Sequence, residues 1–376
     1  MTSGKSDTLI SKLPHKEKTM ENEQTHKKRS VQNSKRTLYF DYMRVCATFA
    51  VIMIHVTAQY FHDLEPSSFA WKTINAYQCL SRWGVPVFVM MSGALFLTRE
   101  IPLQKIYSKY VHRLFTCFIF WSIVYALEAA IFHQSDFILH ALKGNYHLWY
   151  IWMIIGLYIC IPFLNPIVAD EGKMRYFLLL SFIFTYLLPA IHQLSKDFAS
   201  EYVQSLVNAV HTNVDRIRMD MVLGYTGCFI LGYYLYTHRL RRIHRICAYV
   251  LGLIGIVSMY LLSLALALKK EPDSAYYNPL TLCALLMSVA VFVLFKYHRF
   301  KPNRLTPLLF KLSRYSFGAY LVHPLILTSL ERVGFDSLTF GNPVLSIACV
   351  FAVVTVIAFG ISAILNSIPV VGKYIV

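Results

Sequence analysis

The first long apolar run of this 376-residue chain contains two side chains that lipid does not accept unaccompanied. It reads Phe40-Asp41-Tyr42-Met43-Arg44, then Val45 through Ile54, then His55. On an α-helix the separation between Arg44 and His55 is almost three whole turns. Both therefore share one face, ~16 Å apart along the axis. Asp41 lies one turn before Arg44, where it can pair with it. An intramembrane arginine or histidine faces protein or a wet cavity, because burial of the charge in hydrocarbon is costly. Taken singly, Arg44 reads equally well as a residue snorkelling to the interface and His55 as one interhelical hydrogen bond. Two on one stripe, with an acid beside the arginine, favour a working site. Histidine is the natural general base near neutral pH.

Other groups with chemical potential stand near the ends of later apolar runs. His147, followed by Trp149 and Tyr150, opens the fourth. Aromatics there serve as an interface belt or as a surface on which a sugar ring stacks. Tyr320 and His323 are one turn apart in the ninth run, as an interhelical hydrogen bond or as part of a site. Lys109 and Arg113 begin the third, either as interface anchors or as anion ligands. Ser92 reads first as a small packing residue. Arg216, Arg218 and Asp220 cap the sixth run or orient a substrate. The eight cysteines are spread singly, with no CxxC and no Cys/His pair at zinc spacing, so neither a disulfide framework nor a metal site is expected.

The frame that must position these groups is a membrane bundle. The chain is 56% hydrophobic and 15% charged, well below the charged fraction of soluble domains. Apolar runs at 38–61, 80–98, 111–132, 147–168, 174–192, 220–237, 245–268, 279–297, 307–330 and 343–365 are each near the length that crosses a bilayer. The ninth has a polar start. The expected fold is therefore an all-α, polytopic membrane protein of about ten transmembrane helices, with a domain at 38–376. Residues 1–37 carry nine of the Lys and Arg residues and no apolar stretch, which predicts a disordered basic tail rather than a signal peptide. A net charge of +16 would suggest nucleic acid in a soluble protein. Here the basic residues alternate between loops: with the tail inside, 26 of the 36 fall on the cytoplasmic side, nine, Arg82 among them, on the outer side, and Arg44 in the membrane. That bias puts both termini in the cytoplasm and excludes the nucleic-acid reading. The long loop 193–219 contains Ala199–Val210, which has the pattern of a short amphipathic helix.

Against this frame the motifs resemble those of the membrane-bound acyltransferase family 3. Arg44-x10-His55 is similar to the family's first-span signature. Trp83-Gly84-Val85-Pro86 through Ser92-Gly93 looks like its second span. His147-Leu148-Trp149-Tyr150 with Gly156, Tyr158 and Pro162, the run Gly224-Tyr225 through Gly232-Tyr233-Tyr234, and Ser316-Phe317-Gly318-Ala319-Tyr320-Leu321-Val322-His323-Pro324 follow in the family's order. One departure stands out. The family usually has Arg-x-x-Arg at the start of the third span, and here Tyr110 stands where the first arginine is expected, ahead of Arg113.

The resemblance implies transfer of an acyl group, commonly acetyl from acetyl-CoA, to a hydroxyl of a cell-surface or lipid-linked glycan. No permanently bound cofactor is implied; the acyl-CoA is a co-substrate. Arg44, Lys109 and Arg113 would hold its phosphates, and His55 would be the base. His147, Trp149, Tyr320 and His323 would contact the acceptor. The location would be the plasma membrane, as a multi-pass protein. A secondary transporter of a sugar or organic anion is the alternative that intramembrane Arg and His leave open. No matching pair of broken helices supports it in the sequence.

Overall fold

Backbone polar groups have no water to bind inside a bilayer, so each apolar run must close its own hydrogen bonds as a helix. A computed structural model describes residues 37–134 and 136–376, and among these no strand occurs. The expected basic tail, apart from Thr37, lies outside the described residues. Eight helical segments are long and apolar enough to cross a membrane. They are α1 (Leu38–Ala58), the pair α2 (Phe69–Ser81) and α3 (Gly84–Phe96), and α4 (His112–His133) with the turns before it. The segment Phe137–Ala169 holds α5 (Phe137–Lys143) and α6 (Trp149–Ala169). The segment Glu171–Phe198 holds α7 (Glu171–Ser181) and α8 (Leu188–Phe198). Two further short-loop connections bracket α9 (Glu201–Asp215), the realised form of the amphipathic helix expected at 199–210, and α10 (Asp220–Thr237). Then come α11 (Arg242–Lys269), α12 (Leu282–Tyr297), α13 (Thr306–Arg332), α14 (Pro343–Ser367) and the short α15 (Pro369–Tyr374).

The expected sixth and ninth spans are the helices α10 and α13, but neither belongs to the apolar eight. The reason is where they sit. α13 buries Thr306, Ser313, Ser316, Tyr320 and His323 along with its apolar residues, so its surroundings are protein, and it has no need of a lipid-compatible surface. α10 is pressed against α3 through glycines. A Cβ on Gly93 would stand 1.8 Å from the main-chain oxygen of Phe229, and one on Gly232 would stand 1.9 Å from that of Met90. This close approach of two backbones uses the small residues as membrane helices commonly do.

The second expected span also differs from its sequence reading. Its helical segment begins at Phe69, not near residue 80, and is interrupted at Arg82 and Trp83. Pro86 supplies the cause. Proline has no N–H to return to the carbonyl four residues back, and its ring crowds that carbonyl, which belongs to Arg82. The break aims Arg82 inward. Ser68 caps the new start at Phe69 by accepting from the Trp71 N–H at 3.1 Å. A second interruption occurs in α10 at Gly224, whose φ of −30° and ψ of −115° are non-helical.

The glycine contacts yield a paired test. Gly232→Ala is expected to destabilise the bundle by at least about 1–3 kcal/mol, since the obstructing atom is backbone and cannot rotate away. Gly156→Ala, where an added Cβ meets nothing within 4 Å, is expected to be neutral. Thermal unfolding in detergent checks both, and equal melting temperatures for the two variants would refute the packing account.

Candidate functional site

Arg44 and His55 do share a face of α1, and a cavity of about 360 Å³ runs between them. Its walls come from α1, α3, α4, α6 and α13. At one end lie Arg44, Phe96, Tyr110, Arg113 and Tyr158; at the other lie His55, Val85, His147 and Trp149. From Val85 to Phe96 the α3 wall spans eleven residues, or ~16 Å of helix. The channel is thus as long as the separation of the two α1 residues. It is lined mostly by apolar and aromatic side chains, as ligand sites usually are.

The arginine end is held from several sides. Arg44 donates to Ser313 Oγ at 2.9 Å and lies 3.9 Å from the buried Asp41. Its side chain keeps 34% of its surface accessible and borders the cavity. Arg113 donates to the main-chain oxygen of Val376 at 2.7 Å. Tyr110 falls within a π-helical turn, Ile106–Val111. Such turns insert a residue and are frequent at functional sites. Within it Tyr110 faces the cavity, whereas Lys109 is exposed and contributes nothing to the cavity wall. The structure therefore brings Arg44 and Arg113 together and leaves Lys109 outside. Phe96 stacks on Tyr158 at 4.3 Å between ring centroids and meets Tyr110 edge-on at 4.9 Å, so the mouth is aromatic at the position where the motif's first arginine is expected.

At the other end three histidines converge. The His55 ring centroid is 4.9 Å from that of His323, and His323 is 5.8 Å from His147. Pro324 explains how His323 is set. Lacking an N–H, it leaves the Tyr320 carbonyl without its helical partner, and His323 Nδ1 takes that place at 2.7 Å. A carbonyl only accepts, so Nδ1 carries the proton and Nε2 presents a lone pair. Nε2 has no hydrogen-bond partner among the described residues. The Tyr320 hydroxyl donates to the main-chain oxygen of His147, tying α13 to the start of α6. The Tyr125 hydroxyl donates to the Leu321 oxygen at 2.8 Å. The groups that surround His55 electrostatically are His323, His147 and Arg82, with no carboxylate among them.

His147, Trp149 and Tyr320 line the channel, while His323 is fully buried behind His55 and does not. Ser92 is also in the wall, midway along α3. Arg216 and Arg218 line neither this channel nor the cavity described next. Among the described residues no group of three metal-ligating side chains gathers.

A second cavity, about 380 Å³, begins at His55 and continues away from Arg44. Val51, Val85 and Trp149 border both cavities with His55. Arg82, Tyr225 and Asn278 border the second one alone. Sequence reading counted Arg82 among the loop charges. The signal that it is internal was Pro86, four residues later, which breaks the helix at that point. Tyr225 was marked only as part of a family motif, next to the Gly224 break. His55 thus stands in the wall common to two chambers.

A family model described as an acyltransferase domain matches residues 37–363, nearly the whole chain. The chain belongs to the acyltransferase 3 family. No curated protein and no solved structure matches it. It is a multi-pass membrane acyltransferase.

The hydrogen bond from Tyr320 to the His147 carbonyl is open to direct measurement in this acyltransferase. Tyr320→Phe is expected to cost about 1 kcal/mol, the usual net value of one buried hydrogen bond. A lowered detergent melting temperature with unchanged oligomeric profile is the expected result. An unchanged melting temperature would show that the bond contributes nothing to joining α13 and α6.

Proposed function

We propose that this protein is an O-acyltransferase that moves an acyl group, most simply acetyl, from cytoplasmic acyl-CoA to a hydroxyl of a cell-surface or lipid-linked glycan. The observation that carries the reading is the position of His55 in the wall shared by two chambers. The channel with Arg44 and Arg113 at its far end is assigned to the donor. Those two cations would hold the CoA phosphates by charge-assisted hydrogen bonds, with Lys109 at the surface beside them. The narrow pantetheine arm would follow α1 to His55. The Lys and Arg bias of the loops supports a cytoplasmic location for this mouth and for both termini, in the plasma membrane.

The acceptor would arrive from the second chamber and stack on Trp149. A ring nitrogen of His55 takes the proton from its hydroxyl as the oxygen attacks the thioester carbonyl carbon. The new C–O bond forms, the C–S bond breaks, and the departing CoA sulfur receives the proton from the imidazolium. The products are the ester and CoA thiol. His323, with Nδ1 committed to the Tyr320 carbonyl, offers Nε2 as an acceptor to an N–H of His55. This would leave the other His55 nitrogen unprotonated and aimed at the acceptor, so His323 acts as a positioning residue. His147 and Tyr320 line the junction where the acceptor would sit.

The reading is tested with purified protein, labelled acetyl-CoA and a panel of glycans. Wild-type protein is expected to release CoA in a glycan-dependent way. His55→Ala is expected to lower that rate about 10²–10⁴-fold with acetyl-CoA affinity retained. Arg44→Ala and Arg113→Ala are expected to weaken acetyl-CoA binding about tenfold or more. Undiminished transfer by His55→Ala would remove it as the base, and no glycan-dependent release by wild type would overturn the assignment.

A further inference from the structure

The guanidinium of Arg82 lies inside the bundle, bordering the second chamber with His55. Its neighbours are neutral. One terminal nitrogen donates to the Tyr277 carbonyl at 3.2 Å and the other to Gln78 Oε1. The Tyr277 ring lies 4.5 Å from its central carbon. Nε is buried and meets no hydrogen-bond partner among the described residues, and no carboxylate is among the groups that act on it electrostatically. The orientation is built in depth. Gln78 Nε2 donates to the Ile54 carbonyl at 3.1 Å, next to His55. Tyr277 is itself held by Asn75, whose Oδ1 accepts from the Tyr277 hydroxyl and from Ser263 Oγ.

A cation fixed within a membrane bundle is ordinarily paired with an acid or serves a ligand. Among the described residues no acid pairs with Arg82, its Nε–H is unused, and it faces a chamber of about 380 Å³. We propose that the second chamber binds an anionic group of the acceptor, a carboxylate or a phosphate, with Arg82 as its partner. This deepens the proposed function and rests on that reading for the word acceptor. The anion site itself stands on the geometry. Trp149 and Tyr225, with ring centroids 5.8 Å apart, flank the chamber and would stack on the sugar that bears the charge. Carboxylate and phosphate share the planar or tripodal oxygen array that a guanidinium fork recognises. A uronate-type sugar would supply the first and a glycosyl phosphate the second.

The experiment uses the full chain in detergent with three probes: a neutral oligosaccharide, an oligogalacturonate and a glycosyl phosphate. Equilibrium binding of each is measured beside acetyl-CoA-dependent CoA release. One charged probe is expected to bind at least about tenfold more tightly than the neutral one. Which of the two it is identifies the source of the anion. Arg82→Gln is expected to abolish that preference and raise KM for the charged probe about tenfold or more, with kcat and acetyl-CoA affinity little changed. Asn278→Asp, which keeps the acceptor atom that holds the Leu280 N–H but adds a negative charge to the chamber, is expected to act in the same direction if Arg82→Gln does not fold. Equal binding of charged and neutral probes would overturn the proposal, as would a fall in kcat at constant KM. Charge-selective binding without CoA release would count against the transferase reading and leave the anion site standing.

Discussion

The bilayer gives no hydrogen bonds to a polar group, and the architecture follows from having to provide them from within. Arg44 and His55 sit on one face of α1, so every helix that covers that face must bring polar partners or enclose space. α13 does so with Ser313 at the arginine and His323 at the histidine, and it is accordingly polar and buried. The segment Phe137–Ala169 brings His147, in the turn before α6, and Tyr158, in α6, to the two ends of the channel. The division of labour among the helices is thus set by two side chains in the first.

The site is shaped where helices are broken. A continuous helix presents side chains on a fixed spiral and cannot open a chamber in its own path. Pro86 and Gly224 interrupt the α2–α3 pair and α10, and the residues freed to turn inward are Arg82 and Tyr225. Pro324 acts differently. It leaves α13 intact but releases one carbonyl, which then fixes the ring of His323. The π turn at Ile106–Val111 turns Tyr110 toward the channel. Each irregularity lies against a cavity, as expected when non-helical backbone at membrane depth must line protein or water.

These irregularities also mark the limit of what the sequence discloses. Hydrophobic periodicity located the helices, including α10 and α13, whose polarity made them the hardest to read. The one-face relation of Arg44 and His55 needed only the helical repeat. Arg82 was misread because a charge at the end of an apolar run counts as a loop charge until the helix break at Pro86 is taken into account. Lys109 was grouped with Arg113 as the neighbour able to supply the charge that Tyr110 lacks, and in the π turn it is Tyr110 that lines the cavity while Lys109 is exposed. Such effects depend on backbone departures from ideal geometry, and a reading based on a fixed period has no means of seeing them. The convergence of His55, His147 and His323 depends on packing among three helices distant in sequence and has no local signature.

The charges that remain point in one direction. Arg44, partly offset by Asp41, and Arg113 stand at the far end of the channel, and Arg82 stands beyond His55 on the other side. Between them lie aromatics and the histidine cluster, and among the described residues no carboxylate pairs with His55. In acyl transfer negative charge develops twice, on the carbonyl oxygen as the nucleophile adds and on the sulfur as it leaves. A carboxylate next to the base would make that base stronger but would oppose both developing charges at short range. With His55 as the proposed base, orientation by a neutral imidazole would avoid this opposition. The cost is a weaker base. A histidine acting without a carboxylate must rely on the acceptor hydroxyl being held in line with the thioester, so that proton removal accompanies attack rather than preceding it. The stacking surface of Trp149 borders both chambers beside His55, where such positioning would have to occur.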